Sequence, residues 1–296
     1  MFTNFHLHRR QASIIMAVCA YSHDFLKGVL VTRIRRAAAL TAAILVMLSL
    51  AACGTAVGSY RVLATLEEQQ FSIGYRSGDN VQRYVEAAIR ELSADGTLHS
   101  IALKWFSDDE SSFPSRSGAL GEVGTPEPRT LLVGVDEDAF PMSYMDENGA
   151  WAGFDVEAVS AVCTRLGWTP QFIPIKAENA YVELSSGNVD VAWGGLVLSA
   201  EDGDYVVSEP YMSNSVVVVS RAGADVRSMR ALSGATLAVD VEQKYMDAVL
   251  ADEDLMERPE QIKRVTGGAQ VLFSALNAGE VDAIVVYSVA LRYYAR

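Results

Sequence analysis

Residues 132–175 read LVGVDEDAFPMSYMDENGAWAGFDVEAVSAVCTRLGWTPQFIPI, and the periods in this stretch decide the fold. The apolar run at 131–135 has the length and composition of a short buried strand. Asn148-Gly149 is a hairpin-type turn. Val156, Val159, Cys163 and Leu166 then recur on one helical stripe, and Gly167 stops the helix. Residues 172–175 are the next strand. A short helix through Tyr181 and Leu184 and a strand at 189–193 continue the alternation. Strand, helix, strand, helix, strand implies a doubly wound parallel sheet, whose ligand crevice lies at the C-terminal ends of its strands.

The second half repeats the plan: strands near 216–219 and 236–239, a helix through Leu272 and Leu276, and a strand at 282–286. One piece of the repeat is visible in letters. Leu184, Gly187, Val189 and Asp190 recur at the same spacing as Leu276, Gly279, Val281 and Asp282, each set at a helix-to-strand junction. Two lobes of one topology follow. Upstream, Val81, Tyr84, Val85, Ala88 and Leu92 mark a helix ended by Asp95-Gly96, and Leu98, Ile101 and Trp105 mark a second. Residues 107–129 carry acids, serines, glycines and three prolines without periodicity, so they read as a linker. A flexible chain of that length spans about 25–30 Å, enough to join two ends of one lobe.

The chain has 296 residues, half of them hydrophobic, which is room for two cores of roughly 100–130 residues each. Six basic residues and one acid precede position 53, leaving 18 basic and 36 acidic residues beyond it. So acidic a surface repels a phosphate backbone and argues against a nucleic-acid partner. Arg33, Arg35 and Arg36, the apolar run 37–50 and Leu50-Ala51-Ala52-Cys53 read as an export signal. The four residues ending in Cys53 resemble a bacterial lipobox, which makes Cys53 the expected lipidation site and the lipid the expected membrane contact. Residues 1–30 have no role in such a signal, and Val31 is a candidate initiator. With Cys19 in the leader and Cys53 an anchor, Cys163 stands alone at an apolar helical position, as a core residue. His99 is the one histidine beyond the leader. No catalytic constellation, metal site or cofactor is therefore expected.

Residues 132–175 resemble the first lobe of the family 3 extracellular solute-binding proteins, the polar amino-acid binders of ABC importers. Gly134-Val135-Asp136, Pro141, Asn148-Gly149, Gly153-Phe154-Asp155 and Gly167 carry the resemblance, which continues through 184–190 and through Ser208-Glu209-Pro210-Tyr211. It implies a two-lobed clamshell of the periplasmic-binding-protein kind, α/β in class, with a doubly wound sheet and flanking helices in each lobe. Crossover strands are expected near 66–76 and 208–217. The family continues past the position of Arg296 with a return strand and helices bearing an Asp-Gly-Thr turn and a Lys-Trp-Phe ending. A similar piece stands here at the front, as Phe71–Tyr75, residues 81–92, Asp95-Gly96-Thr97 and Lys104-Trp105-Phe106. The chain thus reads as circularly permuted: 1–52 leader and signal, 54–70 a return segment of lobe 2, 71–106 a crossover and terminal helices of lobe 1, 107–129 linker, 130–212 the main part of lobe 1, and 213–296 lobe 2.

By position, the resemblance implies ligand contacts at Asp136, at Phe140 and Met142, at the strand end Trp193, Gly194, Gly195 and Leu196, and at Gln243 and Lys244. Phe140 and Trp193 are equally suited to packing inside. The family's carboxylate-binding arginine falls where this chain has Ser199-Ala200-Glu201-Asp202, its ammonium-binding aspartate corresponds to Tyr287, and its Gly-Thr-Thr turn to Glu242-Gln243-Lys244. With those anchors replaced, Asp136, Asp202 and Glu242 suggest a cationic or polar solute with aromatic contacts from Phe140, Trp193 or Tyr287. The expected protein is an extracytoplasmic, monomeric, lipid-anchored binding protein that delivers a small polar solute to an ABC permease and is not an enzyme. The alternatives are a sensing or partner-binding domain with a diverged pocket, and a dehydratase-like enzyme on the same scaffold.

Overall fold

The computed structural model describes residues 55–199 and 205–296; the leader, Cys53 and Asp202 lie outside them. Strand β1 (Ala56–Val57) turns into the long β2 (Tyr60–Phe71), and β3 (Gly74–Arg76) follows after two residues. Helices α1 (Val81–Ala94), α2 (Thr97–Trp105) and α3 (Ala119–Val123) precede β4 (Thr130–Val135). Next come a small hairpin sheet, β5 (Asp138–Ala139), β6 (Ser143–Met145) and β7 (Trp151–Ala152), then α4 (Phe154–Leu166), β8 (Thr169–Pro174), α5 (Ala180–Ser186), β9 (Val191–Ala192) and β10 (Tyr205–Val207). The remainder is β11 (Met212–Arg221), β12 (Thr236–Asp240), α6 (Met246–Ala251), α7 (Glu253–Glu257), β13 (Gln261–Val265), α8 (Gly268–Ala278), β14 (Ala283–Tyr287) and α9 (Ser288–Tyr294).

Two sheets define two lobes. Lobe 1 has the order β10-β3-β9-β4-β8, with β4 parallel to β8 and β9, and lobe 2 the order β1-β2-β11-β14-β12-β13, with β12 parallel to β13 and β14. The central parallel strands β4, β12 and β14 are covered on both faces, which is why they read as nearly continuous apolar runs. Helix α4 forms where the apolar stripe predicts it. Its first turn holds Asp155 and Glu157, its last turn Arg165, and Gly167 closes it at φ +70°.

The chain passes between lobes at two adjacent places, as the family resemblance implies. Residues 71–74 run from β2 into β3, and 208–211 run from β10 into β11. Tyr211 N–H donates to Phe71 O (2.9 Å), Ser208 N–H to Ile73 O (2.9 Å) and Ile73 N–H to Ser208 Oγ (2.9 Å), so the crossings form a two-stranded hinge.

The letter repeat has one structural meaning in both lobes. Gly187 and Gly279 end helices at φ +78° and +74°. Asp190 then accepts from Leu132 N–H (3.0 Å) and Asp282 from Thr236 N–H (2.8 Å), each tying a helix-to-strand turn to the neighbouring parallel strand. The segment 107–129, expected as a linker, lies against lobe 1. Phe113 stacks on Tyr211 (centroids 5.0 Å, planes 6° apart), Ser112 N–H donates to Tyr211 O (2.7 Å), Arg116 N–H to Arg90 O (3.0 Å) and Trp168 Nε1–H to Glu127 O (3.0 Å). The few apolar side chains in a polar segment, Phe113 and Ala119 among them, suffice to lay it against lobe 1.

Candidate functional site: the interlobe cleft

Lobe 1 offers the ends of β4 and β9. Asp136 N–H donates to Gly194 O (3.2 Å) and Trp193 N–H to Gly134 O (2.8 Å), which aligns the two strand ends. Beyond β4 the chain enters the β5–β6 hairpin and swings Phe140 outward. Its ring meets Tyr144 at 5.0 Å and, across the gap to lobe 2, Tyr293 of α9 at 4.8 Å.

Lobe 2 offers the ends of β12 and β14. Asp240 is fully buried and accepts from Glu242 N–H (2.9 Å) and Gly268 N–H, so it fixes the turn that carries Gln243 and Lys244. Tyr245 anchors that turn by donating to Val285 O (2.9 Å) and packs edge-on against Tyr287 (5.1 Å). Burial raises the Tyr287 hydroxyl far above its ordinary pKa, and the nearby Asp136 carboxylate adds to the effect, so the phenol stays neutral. Lys244 reaches across the cleft and forms an ion pair with Asp136.

Six of the residues expected at the ligand, Asp136, Phe140, Gly195, Gln243, Lys244 and Tyr287, line one cavity of about 210 Å³ between the lobes. It is smaller than the roughly 300–1,000 Å³ of drug-sized pockets and suits a small solute. Four others lie elsewhere. Met142 and Trp193 are buried in the lobe 1 core and Leu196 in a neighbouring cluster. Gly194 lies beneath the cavity, where a Cβ would come within 2.7 Å of Val135 Cγ1. For Trp193 the reason is polar: the buried Asp155 carboxylate accepts from Trp193 Nε1–H (3.1 Å), which turns the indole inward, and also from Gly195 N–H (2.8 Å). Gly195 has φ +64°, and a Cβ there would stand 2.5 Å from Ala139 Cβ, so only glycine brings this loop up to the hairpin.

The cleft also contains residues that the sequence did not single out. Gln69, Phe71 and Asn214 reach it from the hinge strands, and Lys176 and Val197 from lobe 1. Asn214 is buried, donates to Gln69 Oε1 (3.1 Å) and accepts from Ser288 Oγ–H (3.2 Å). A lone buried amide at the head of a valine-rich strand was the available signal.

Among the described residues no cluster of His, Cys, Asp and Glu could hold a metal ion, and no helix is long and apolar enough to cross a membrane. The L-cystine-binding protein TcyJ of Escherichia coli (strain K12) is 24% identical over 203 residues, covering 67% of this chain and 70% of that protein. A probable amino-acid ABC transporter-binding protein of Haemophilus influenzae is 27% identical over 168 residues, 56% of this chain and 63% of that one. Among solved structures, a polar amino acid ABC uptake transporter substrate binding protein from Streptococcus thermophilus is 26% identical, covers 56% of this chain and 64% of that chain, and superposes with a TM-score of 0.46. The chain therefore spans less than two thirds of the last two. The profile of the bacterial extracellular solute-binding proteins, family 3, matches residues 131–279, half of the chain, and to that family this chain belongs.

Proposed function

We propose that this protein is the solute-binding component of an ABC importer, held on the outer face of the cell membrane by a lipid on Cys53, and that it closes its two lobes on a small polar solute of the amino-acid class. One observation carries the proposal: a cavity of about 210 Å³ lies where the strand C-termini of both lobes meet, beside a two-stranded hinge. Closure about such a hinge presents a ligand-dependent surface to a permease. The relatives' names, an L-cystine-binding and an amino-acid-binding protein, support the solute class. A thermal-shift screen of the protein against amino acids, L-cystine, amines and small peptides tests it. At a hundredfold excess over Kd a bound solute adds about 2.7 kcal/mol, or roughly 5–10 °C for a chain of this size. Phe140→Ala should cut that shift at least in half. Silence across the panel favours the second reading, a partner-sensing domain, for which the Asp136–Lys244 pair already closing the cleft speaks. Membrane fractionation of Cys53→Ser tests the anchor: the variant should leave the membrane fraction.

The circularly permuted segment order belongs to the same proposal. Three observations support it: β2 precedes lobe 1 in sequence yet pairs antiparallel with β11 of lobe 2, α1 and α2 join the lobe 1 core, and Gly58 lies against Ala295, where a Cβ would stand 2.7 Å from the Ala295 carbonyl oxygen. A chain opened within 118–124 and joined from Arg296 to Thr55 should fold to the same structure and bind the same solute; failure to fold would count against the permutation.

A further inference from the structure

Among the described residues, Asp136 is the one buried charged side chain that lines the cleft cavity. Its carboxylate is already spoken for. Oδ1 accepts from Asp138 N–H (3.1 Å), and Oδ2 takes Lys244 Nζ, delivered from the other lobe 108 residues away. The Asp136 side chain is 9% exposed and that of Lys244 is 42% exposed. The remaining charges at the cavity, Asp138, Lys176 and Glu242, are exposed, and water screens them. The sequence alone pointed from Asp136, Asp202 and Glu242 to a cationic or polar solute; the pairing speaks against the cation. A free ammonium or guanidinium at Asp136 would either displace Lys244, exchanging one ion pair for another, or share the carboxylate with it, and in both cases two like charges would stand in the same small cavity.

We propose, building on the solute-binding reading, that Lys244 is a tethered counter-ion that sets the charge selectivity of the cleft. It occupies the position on Asp136 that a cationic solute would take, and its two remaining N–H donors serve the carboxylate or carbonyl oxygens of a neutral, zwitterionic or acidic solute. Selection works by exclusion: the cleft is neutralised from within before any solute arrives.

The test measures the affinity of the protein, Lys244→Met, Lys244→Arg and Asp136→Asn for L-arginine, L-lysine, L-glutamine and L-glutamate by calorimetric titration. The protein should bind L-glutamine or L-glutamate at least tenfold more tightly than L-arginine or L-lysine. Lys244→Met should gain at least tenfold for the two cations and lose as much for L-glutamate, while Lys244→Arg keeps the original order. Asp136→Asn should gain nothing for the cations, since it removes the carboxylate they would use. Because position 244 is half-exposed on a turn, these variants should fold, as melting curves would verify. Tighter binding of L-arginine or L-lysine by the unaltered protein, or a Lys244→Met variant whose order of affinities is unchanged within twofold, overturns the inference and leaves solute binding intact. Absence of binding by all four proteins to all four probes overturns the inference, and silence across the wider thermal-shift panel overturns the solute-binding reading as well.

Discussion

Asp155→Ala should destabilise the protein by about 4 kcal/mol, one of the largest losses from any single side chain here. The carboxylate is fully buried in the first turn of α4 and gathers three donors from three places: Trp193 Nε1–H at 3.1 Å, Gly195 N–H at 2.8 Å and Tyr211 O–H at 2.7 Å. Removing a shared acceptor strands all three in the interior, at about 1–3 kcal/mol for each that finds no replacement. The same three groups belong to the lobe 1 core, the cleft loop and the hinge, so the loss spreads to the site. Burial raises the Asp155 carboxyl from 3.8 to about 7, with the donors from Tyr211, Gly195 and Trp193 pulling it back down. A carboxyl whose folded pKa exceeds its unfolded value holds its proton longer in the folded state. Between about pH 4 and 7 the folded chain is the more protonated, so stability contributed by this group falls as pH rises through that window and levels off above it. Between pH 5 and pH 8 the loss from this group should be roughly 2–3 kcal/mol. Urea denaturation at the two pH values, compared with Asp155→Asn, isolates it: the asparagine variant should lose less on going to pH 8. Parallel behaviour of the two proteins would mean that the donors keep Asp155 ionised throughout.

Period and turn chemistry in the sequence located the elements that bury one clear face, α1, α2, α4, α8 and the apolar strands of both lobes. They did not reveal β2 as a twelve-residue strand, because its second half, Glu67 to Gln70, lies along an open groove beside the hinge and has no apolar face to alternate. The short α7 and α9 and the edge strand β13 escaped for a related reason: each is held by tertiary contacts rather than by local pattern. At the site, the resemblance led to strand ends that border the cavity but did not tell which side chains face it. Trp193 and Gly195 are two residues apart on one strand end, yet the indole turns into the core while the glycine borders the cavity. Residue type does not distinguish an aromatic ring that packs from one that touches a solute; the hydrogen bond to Asp155 does, and Asp155 lies 38 residues away from Trp193. The Asp136–Lys244 pair was beyond sequence altogether, since it exists only when two separately folded lobes meet.

Gly153→Ala should cost more than about 4 kcal/mol, although it adds a single methyl group. Gly153 has φ +131° and ψ +167°, a backbone region that is essentially glycine's alone and carries about 1–3 kcal/mol of strain for any other residue. A Cβ at this position would stand 2.3 Å from Met142 O, 2.6 Å from its carbonyl carbon and 2.9 Å from Ser143 Cα, all backbone atoms that no rotamer change can move aside. Those atoms are fixed in turn. Phe154 N–H donates to Pro141 O (3.0 Å) and Asp155 N–H to Met142 O (2.9 Å), so the start of α4 and the hairpin loop that carries Phe140 are locked together at this one close approach. The methyl group must either break these bonds or push the loop, and with it Phe140, out of the cleft. Gly149 provides the contrast within the same hairpin: it also has positive φ, +75°, but a Cβ there meets nothing within 4 Å. Gly149→Ala should therefore show only the left-handed backbone penalty of about 1–2 kcal/mol. Denaturation midpoints for the two variants decide the matter, and a Gly153→Ala variant no less stable than Gly149→Ala would mean that the loop and the helix start do not approach as closely as their hydrogen bonds require.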